Sequence, residues 1–406
     1  MAPMSERRLV LFATIAAGGG HVATAEAMAE ALGQRHGDAF TSRVSDFMYE
    51  FGPGWLDRRH KAAWKRMLGR PRGIRIAQRV MDSAPRATQA WQRVLLDGFA
   101  RRAARAVNAI DPVLVVANHG WLATGFAAAR RYGLRAPVVV YETEPFDASA
   151  LWFAPGVERF VAPSMAARNA LVRLGVRPTR IDVLGYPVRD GFVTAPDRAE
   201  ARRALGLEDR FTCLLSLGAE GVSGRALDVA RTIAEAGHAV IAVAGRNRDL
   251  EQAFGALSRV HPNVRAVGFS REMPRLLAAC DVVVGKAGPA SVMEALAVGR
   301  PVVVTGYAGL NEEAVVRFLV SRGLGSHAPD AAALRSELNA WSSSPERRAG
   351  AALACGRLAF PAMRHAIADA LVAYATRGVS SASLVPNPGG AAAVEDLDHE
   401  RLGASR

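Results

Sequence analysis

The stretch that most limits what this chain can fold into is residues 281–300, DVVVGKAGPASVMEALAVGR. The apolar run Val282, Val283, Val284 is strand-sized and stops at Gly285, Lys286 and Gly288. Pro289 and Ser291 then open a pattern in which Val292, Leu296 and Val298 recur at helical spacing. Proline suits a first helical turn, where its missing N–H loses nothing. A helix that starts just past the carboxyl end of a strand aims several unpaired N–H groups, and the positive end of its dipole, at one spot. That spot suits a diphosphate. Ser291 offers a hydroxyl donor, Lys286 a positive charge, and Glu294, one turn on, a carboxylate that can accept from both hydroxyls of a ribose. The same spelling also fits an ordinary strand-turn-helix unit with Glu294 on the surface.

The pattern occurs first near the amino terminus. Residues 8–16 read as a buried strand that runs into Gly18-Gly19-Gly20-His21 and a helix over 22–36. Strands are expected at 113–117, 137–141, 159–162 and 181–184, then at 211–217, 239–244 and 301–305, with helices between them and a further helical stretch over 345–377. Such alternation implies parallel strands joined by right-handed crossovers. At 406 residues the chain exceeds one ordinary core and divides into two domains. The first turn also satisfies GxGxxA through Gly18, Gly20 and Ala23, with Asp46 as the acid that would bind a ribose, but Asp46 comes late for a dinucleotide site.

Cys213, Cys280 and Cys355 form no CxxC pair, which points to a reducing compartment and no structural metal site. No apolar run approaches the roughly 20 residues that span a bilayer. The formal net charge is +13, and residues 55–105 alone carry 14 Lys and Arg against three Asp. Trp55, Arg58, Arg59, Lys61, Trp64, Lys65 and Arg66 open this segment, mixing basic residues with aromatic anchors as a helix lying on anionic lipid does. No motif for reading nucleic acid accompanies the charge. An anionic membrane surface is the expected partner.

Residues 286–325, KAGPASVMEALAVGRPVVVTGYAGLNEEAVVRFLVSRGLG, resemble the donor-sugar region of monogalactosyldiacylglycerol synthases and bacterial diacylglycerol glucosyltransferases, relatives of the MurG transferase. The opening GGGHVATAEAMAEAL is similar to the glycine-histidine segment of the same lipid glycosyltransferases. The resemblance implies the GT-B fold, an α/β architecture of two Rossmann-like domains facing across a cleft, and transfer with inversion. By the same resemblance Lys286, Gly288, Pro289, Ser291 and Glu294 hold the nucleotide, with Gly218 and Glu220 in a glycine-rich turn, and Phe269 and Met273 frame the base. The sugar falls to Asn311 and Glu312, where the family carries Gln-Glu. Gly18, Gly19 and Gly20 let substrate approach the backbone, and His21 takes the position of a catalytic base. Glu144 stands as a second catalytic residue where the family has an aspartate, and Ser149 where it has a histidine.

The expectation is therefore a peripheral enzyme on the cytoplasmic face of the cell membrane that moves galactose or glucose from a UDP-hexose to diacylglycerol, with no metal and no cofactor beyond the donor. Its expected division is an acceptor- and membrane-binding domain over 1–190, a donor domain over 191–345, a helix over 346–377 returning to the first domain, and a disordered tail over 378–406. Three other readings stay open: a MurG-like transfer of N-acetylglucosamine to another lipid-linked acceptor, a dinucleotide oxidoreductase built on the Gly18 turn, and a homologue that binds UDP and membrane without catalysis.

Overall fold

The computed structural model describes residues 7–17, 19–68, 71–216 and 225–377, with the side chains of 64, 65, 68 and 71 set aside. Gly18, Gly218, Glu220 and the tail beyond residue 377 lie outside the described residues. The chain divides into two compact units. The first holds the residues up to Asp190, the turn Ala308–Asn311 and the helix Phe360–Arg377; the second holds Gly191–Tyr307 and Glu312–Leu358.

The first unit is built on six parallel strands: β1 (Arg8–Thr14), β2 (Phe40–Asp46), β3 (Leu114–Ala117), β4 (Val138–Tyr141), β5 (Arg159–Ala162) and β6 (Ile181–Val183). Their order in the sheet is β2-β1-β3-β4-β5-β6. β3, β4 and β5 are buried along their whole length, as strands covered by helices on both faces must be. One face packs Leu11, Val115 and Val140 against helices that carry Phe99 and Phe126; the other packs Val10, Phe12 and Val139 against Met28, Leu32, Ile367 and Leu371.

The second unit repeats the design with β7 (Thr212–Ser216), β8 (Ala239–Val243), β9 (Val264–Val267), β10 (Val282–Lys286), β11 (Val302–Gly306) and β12 (Gly325–His327). These too are all parallel, in the order β12-β11-β10-β7-β8-β9. β7 and β10 approach so closely that a Cβ on Gly285 would stand 2.2 Å from the Ser216 carbonyl oxygen. Glycine is required there by space.

The basic segment, helical as expected, is divided among four helices, Gly54–Leu68, Pro71–Ser83, Pro85–Leu95 and Asp97–Ile110. The structure departs from the sequence reading in two places. The expected helix over 345–377 is two, Pro345–Arg357 and Phe360–Arg377. Between them Ala359 takes φ of +49°, a left-handed conformation no helix interior tolerates, and Pro361 sits in the first turn of the second helix. The second departure is a set of elements absent from that reading: β2, β9, β12 and the helix Ala331–Ser343.

Candidate active site

In an open parallel sheet, ligands bind outside the carboxyl ends of the strands where neighbouring strands send their connections to opposite sides. In the first unit that point falls between β1 and β3, because the chain leaves β1 for β2 on one side and returns to β3 on the other. The residues that follow those strands are His21, in the first turn of the helix Gly20–His36, and Asn118 and His119 after β3.

These side chains meet. His21 Nδ1 lies 2.8 Å from the Asn118 carbonyl oxygen, and Asn118 Nδ2 donates to the His21 carbonyl at 2.5 Å and to Thr24 Oγ1 at 3.2 Å. A carbonyl can only accept, so Nδ1 carries the imidazole proton and Nε2 keeps its lone pair. Thr143, just past β4, brings its hydroxyl to 3.0 Å from the same Nδ1. Burial holds His21 far below the ordinary value of 6.5, at about 4, against the opposing pull of the Asn118 carbonyl and helped by the nearby His60. The imidazole is therefore neutral and able to accept a proton throughout the physiological range.

His119 caps the helix Gly120–Ala129 by accepting from Trp121 N–H at 3.2 Å through Nδ1. Its ring centroid is 4.7 Å from that of His21 and 5.3 Å from that of His60, and His60 in turn packs on Trp121 at 4.3 Å. Burial, then the two neighbouring imidazoles, push His119 well below the usual range, and burial first lowers His60 as well. The Trp152 ring stands 6.3 Å from His21. Glu142 at the end of β4 is fully buried and accepts from Glu144 N–H at 2.6 Å. Burial, then the proximity of Glu144, raise its carboxyl well above the usual range.

In the second unit the corresponding point lies between β7 and β10. Lys286 ends β10, Gly288 precedes the helix Pro289–Ala297, and Pro289 occupies its first turn. Lys286 Nζ lies 4.0 Å from Glu312 Oε1, which joins the lysine to the first turn of the helix Leu310–Ser321. Ser291 and Glu294 are half-buried on the first turns of their helix. Phe269, beyond β9, is half-exposed beneath the guanidinium of Arg246, 4.5 Å from its ring centroid, and Met273 opens the helix Met273–Ala279.

Residues 216–313, about a quarter of the chain, match the glycosyltransferase family 28 C-terminal domain. Over 339 residues the chain is 27% identical to a probable chloroplastic monogalactosyldiacylglycerol synthase 2 of Oryza sativa subsp. japonica, covering 80% of this chain and 71% of that protein. The chain is a homologue of the monogalactosyldiacylglycerol synthases. Its fold is that of the Anabaena protein HepE in complex with UDP-glucose (TM-score 0.55, 17% identity, 90% of this chain and 100% of that one) and of Acinetobacter baumannii MurG (TM-score 0.56, 14% identity, 90% and 99%). It has the GT-B fold.

Set against the sequence reading, the homologue's Lys286, Gly288, Pro289, Ser291, Glu294 and Glu312 gather at the carboxyl ends of β10 and β11. Asn311 precedes Glu312 at the start of the same helix but belongs with the first unit. Lys61, expected on the lipid-facing side, is turned inward and pairs with Asp46 at 2.8 Å and Asp57 at 2.9 Å. The same pairing occupies the acid that a dinucleotide site would need. Trp55, Arg58, Arg59 and Arg66 are exposed, while the side chains of Trp64 and Lys65 lie outside the described residues. Sequence reasoning gave His60, His119 and Glu142 no assigned role in the site. The signal that points to His119 and Glu142 is their place just after β3 and β4, at the strand ends where sites collect. His60 is brought in only by tertiary packing and left no local signal.

Proposed function

We propose that this protein transfers a hexose from a UDP-sugar to diacylglycerol at an anionic membrane surface. The observation that carries the reading is the commitment of His21 Nδ1 to a backbone carbonyl at the β1/β3 switch point, which leaves a neutral Nε2 as a base. In the reaction Nε2 takes the proton of the acceptor hydroxyl as its oxygen attacks the anomeric carbon; the bond from that carbon to the diphosphate breaks, and UDP leaves with the electron pair. The N-terminus of the helix Pro289–Ala297 and Lys286 stabilise the charge that develops on the diphosphate, Glu294 holds the ribose, and Asn311 and Glu312 hold the sugar. The complex of HepE with UDP-glucose supports a UDP-sugar donor, and the names of the curated relatives support a diacylglycerol acceptor.

The membrane reading is supported by the helices that follow residue 54. Trp55, Ile76, Val80, Trp91 and Val94 are 51 to 81% exposed, amid the exposed Arg58, Arg59, Arg66, Arg72, Arg79 and Arg86. Each basic residue near an anionic bilayer contributes on the order of 1 kcal/mol, enough in sum for reversible binding. Among the described residues no helix is long and apolar enough to cross a membrane.

Incubating the protein with diacylglycerol in anionic vesicles and, separately, UDP-galactose, UDP-glucose and UDP-N-acetylglucosamine, with lipid products read by mass spectrometry, tests the reading. A hexosyl-diacylglycerol is expected, and His21→Ala should lower kcat by roughly 10²-fold or more with UDP affinity unchanged. UDP binding without product on diacylglycerol would reject this acceptor or leave a non-catalytic homologue, and full activity in His21→Ala would remove His21 from the base role.

A further inference from the structure

The helix Pro71–Ser83 has two faces with different surroundings. Ile76 and Val80, one turn apart, are exposed beside Arg72 and Arg79, while Ile74 is buried. In its last turn Asp82 Oδ1 accepts from the backbone N–H of Ala150 at 2.6 Å. Ala150–Trp152 is a single turn of 3-10 helix, closed by Trp152 N–H on the Ser149 carbonyl at 2.9 Å, and it carries the buried Trp152 ring that stands beside His21. From the other side Gly120 approaches so closely that a Cβ there would stand 2.5 Å from the Leu151 carbonyl oxygen. The turn is thus clamped between the helix that begins at Gly120 and the carboxylate of Asp82. Without Asp82 the first N–H of the turn loses its acceptor.

We propose that Asp82 is a positioning residue of the acceptor site, tying the Trp152 turn beside His21 to the helix that presents Ile76 and Val80 to lipid. The proposal rests on the reading of His21 as the base and of that helix as the lipid-facing one. It makes the wall of the site and the membrane-seated helix one mechanical piece, so that a lipid entering beside the helix meets Trp152 already in register with His21.

Two full-length variants separate the hydrogen bond from the charge. Asp82→Asn keeps an oxygen that accepts from Ala150 N–H, and Asp82→Ala does not. The imidazole NMR signals of His21, assigned by their loss in His21→Gln, should move in Asp82→Ala and stay in place in Asp82→Asn. In the vesicle assay kcat/KM for diacylglycerol should fall roughly tenfold to a hundredfold in Asp82→Ala and stay close to wild type in Asp82→Asn, with UDP affinity unchanged in both. If Asp82→Ala does not fold, Asp82→Ser, whose hydroxyl is too short to reach Ala150, replaces it. Unmoved His21 signals in the alanine or serine variant would overturn the proposal, as would an asparagine variant as impaired as alanine. A wild type that makes no glycolipid refutes the functional reading instead, and the NMR comparison still decides the tie by itself.

Discussion

At the scale of single residues, the reading of His21 as base turns on its neutrality. The folded protein holds it at about 4, below the 6.5 of a free histidine, because burial disfavours the cation. The acid limb of kcat/KM should therefore fall near 4, and activity at pH 5.5 should be close to that at pH 7. A limb at 6.5 would mean that His21 titrates as if in water. Stability follows the same sign: as pH drops from 6.5 towards 4 the unfolded chain takes up a proton that the folded site refuses, so stability is full above this window and declines within it. Chemical denaturation at pH 7 and pH 5 should show a smaller loss in His21→Gln than in wild type. His21 itself was legible in the sequence because a histidine directly after a glycine turn is a local pattern. The groups that set its tautomer were not, since Asn118 and Thr143 come from strand ends about a hundred residues away, and nothing local marks them as its neighbours.

At the scale of elements, the glycine turns carried most of what the sequence made visible. The valine runs of β3, β4, β10 and β11 are continuous and buried, and such runs announce parallel strands. β2 was hidden because FTSRVSD has exposed residues at its centre, as an edge strand does, and β12 because three residues, Gly-Ser-His, make no pattern. The break at Ala359 was hidden because alanine is the best helix former and gives no warning of a left-handed turn. Gly285 shows what a legible glycine does physically. Gly285→Ala must push β10 away from β7, and it should lower the melting temperature by an amount corresponding to roughly 1–3 kcal/mol. Because Lys286 follows directly, UDP binding should weaken in the same variant; a variant with wild-type stability would show that the sheet has room there.

At the scale of the whole molecule, charge is concentrated in one segment. The segment 55–105 carries a net +11 of the total +13. Sedimentation with vesicles should accordingly require anionic lipid and weaken as salt rises from low concentration to about 0.5 M, where screening shortens the reach of the field to a few ångströms. Equal binding to neutral vesicles would assign the attachment to the apolar side chains alone. The first unit is also not a contiguous stretch of chain. Arg159 and Asp182, both buried in its sheet, receive Tyr374 from the last helix, whose hydroxyl donates to Asp182 at 2.5 Å. Gly185, at φ of +88°, leaves room for Met363 where any side chain would collide. Exchanging the first unit between relatives by recombination therefore takes more than one cut: a chimaera spliced only near residue 190 would inherit a sheet from one parent and the helix that seals it from the other.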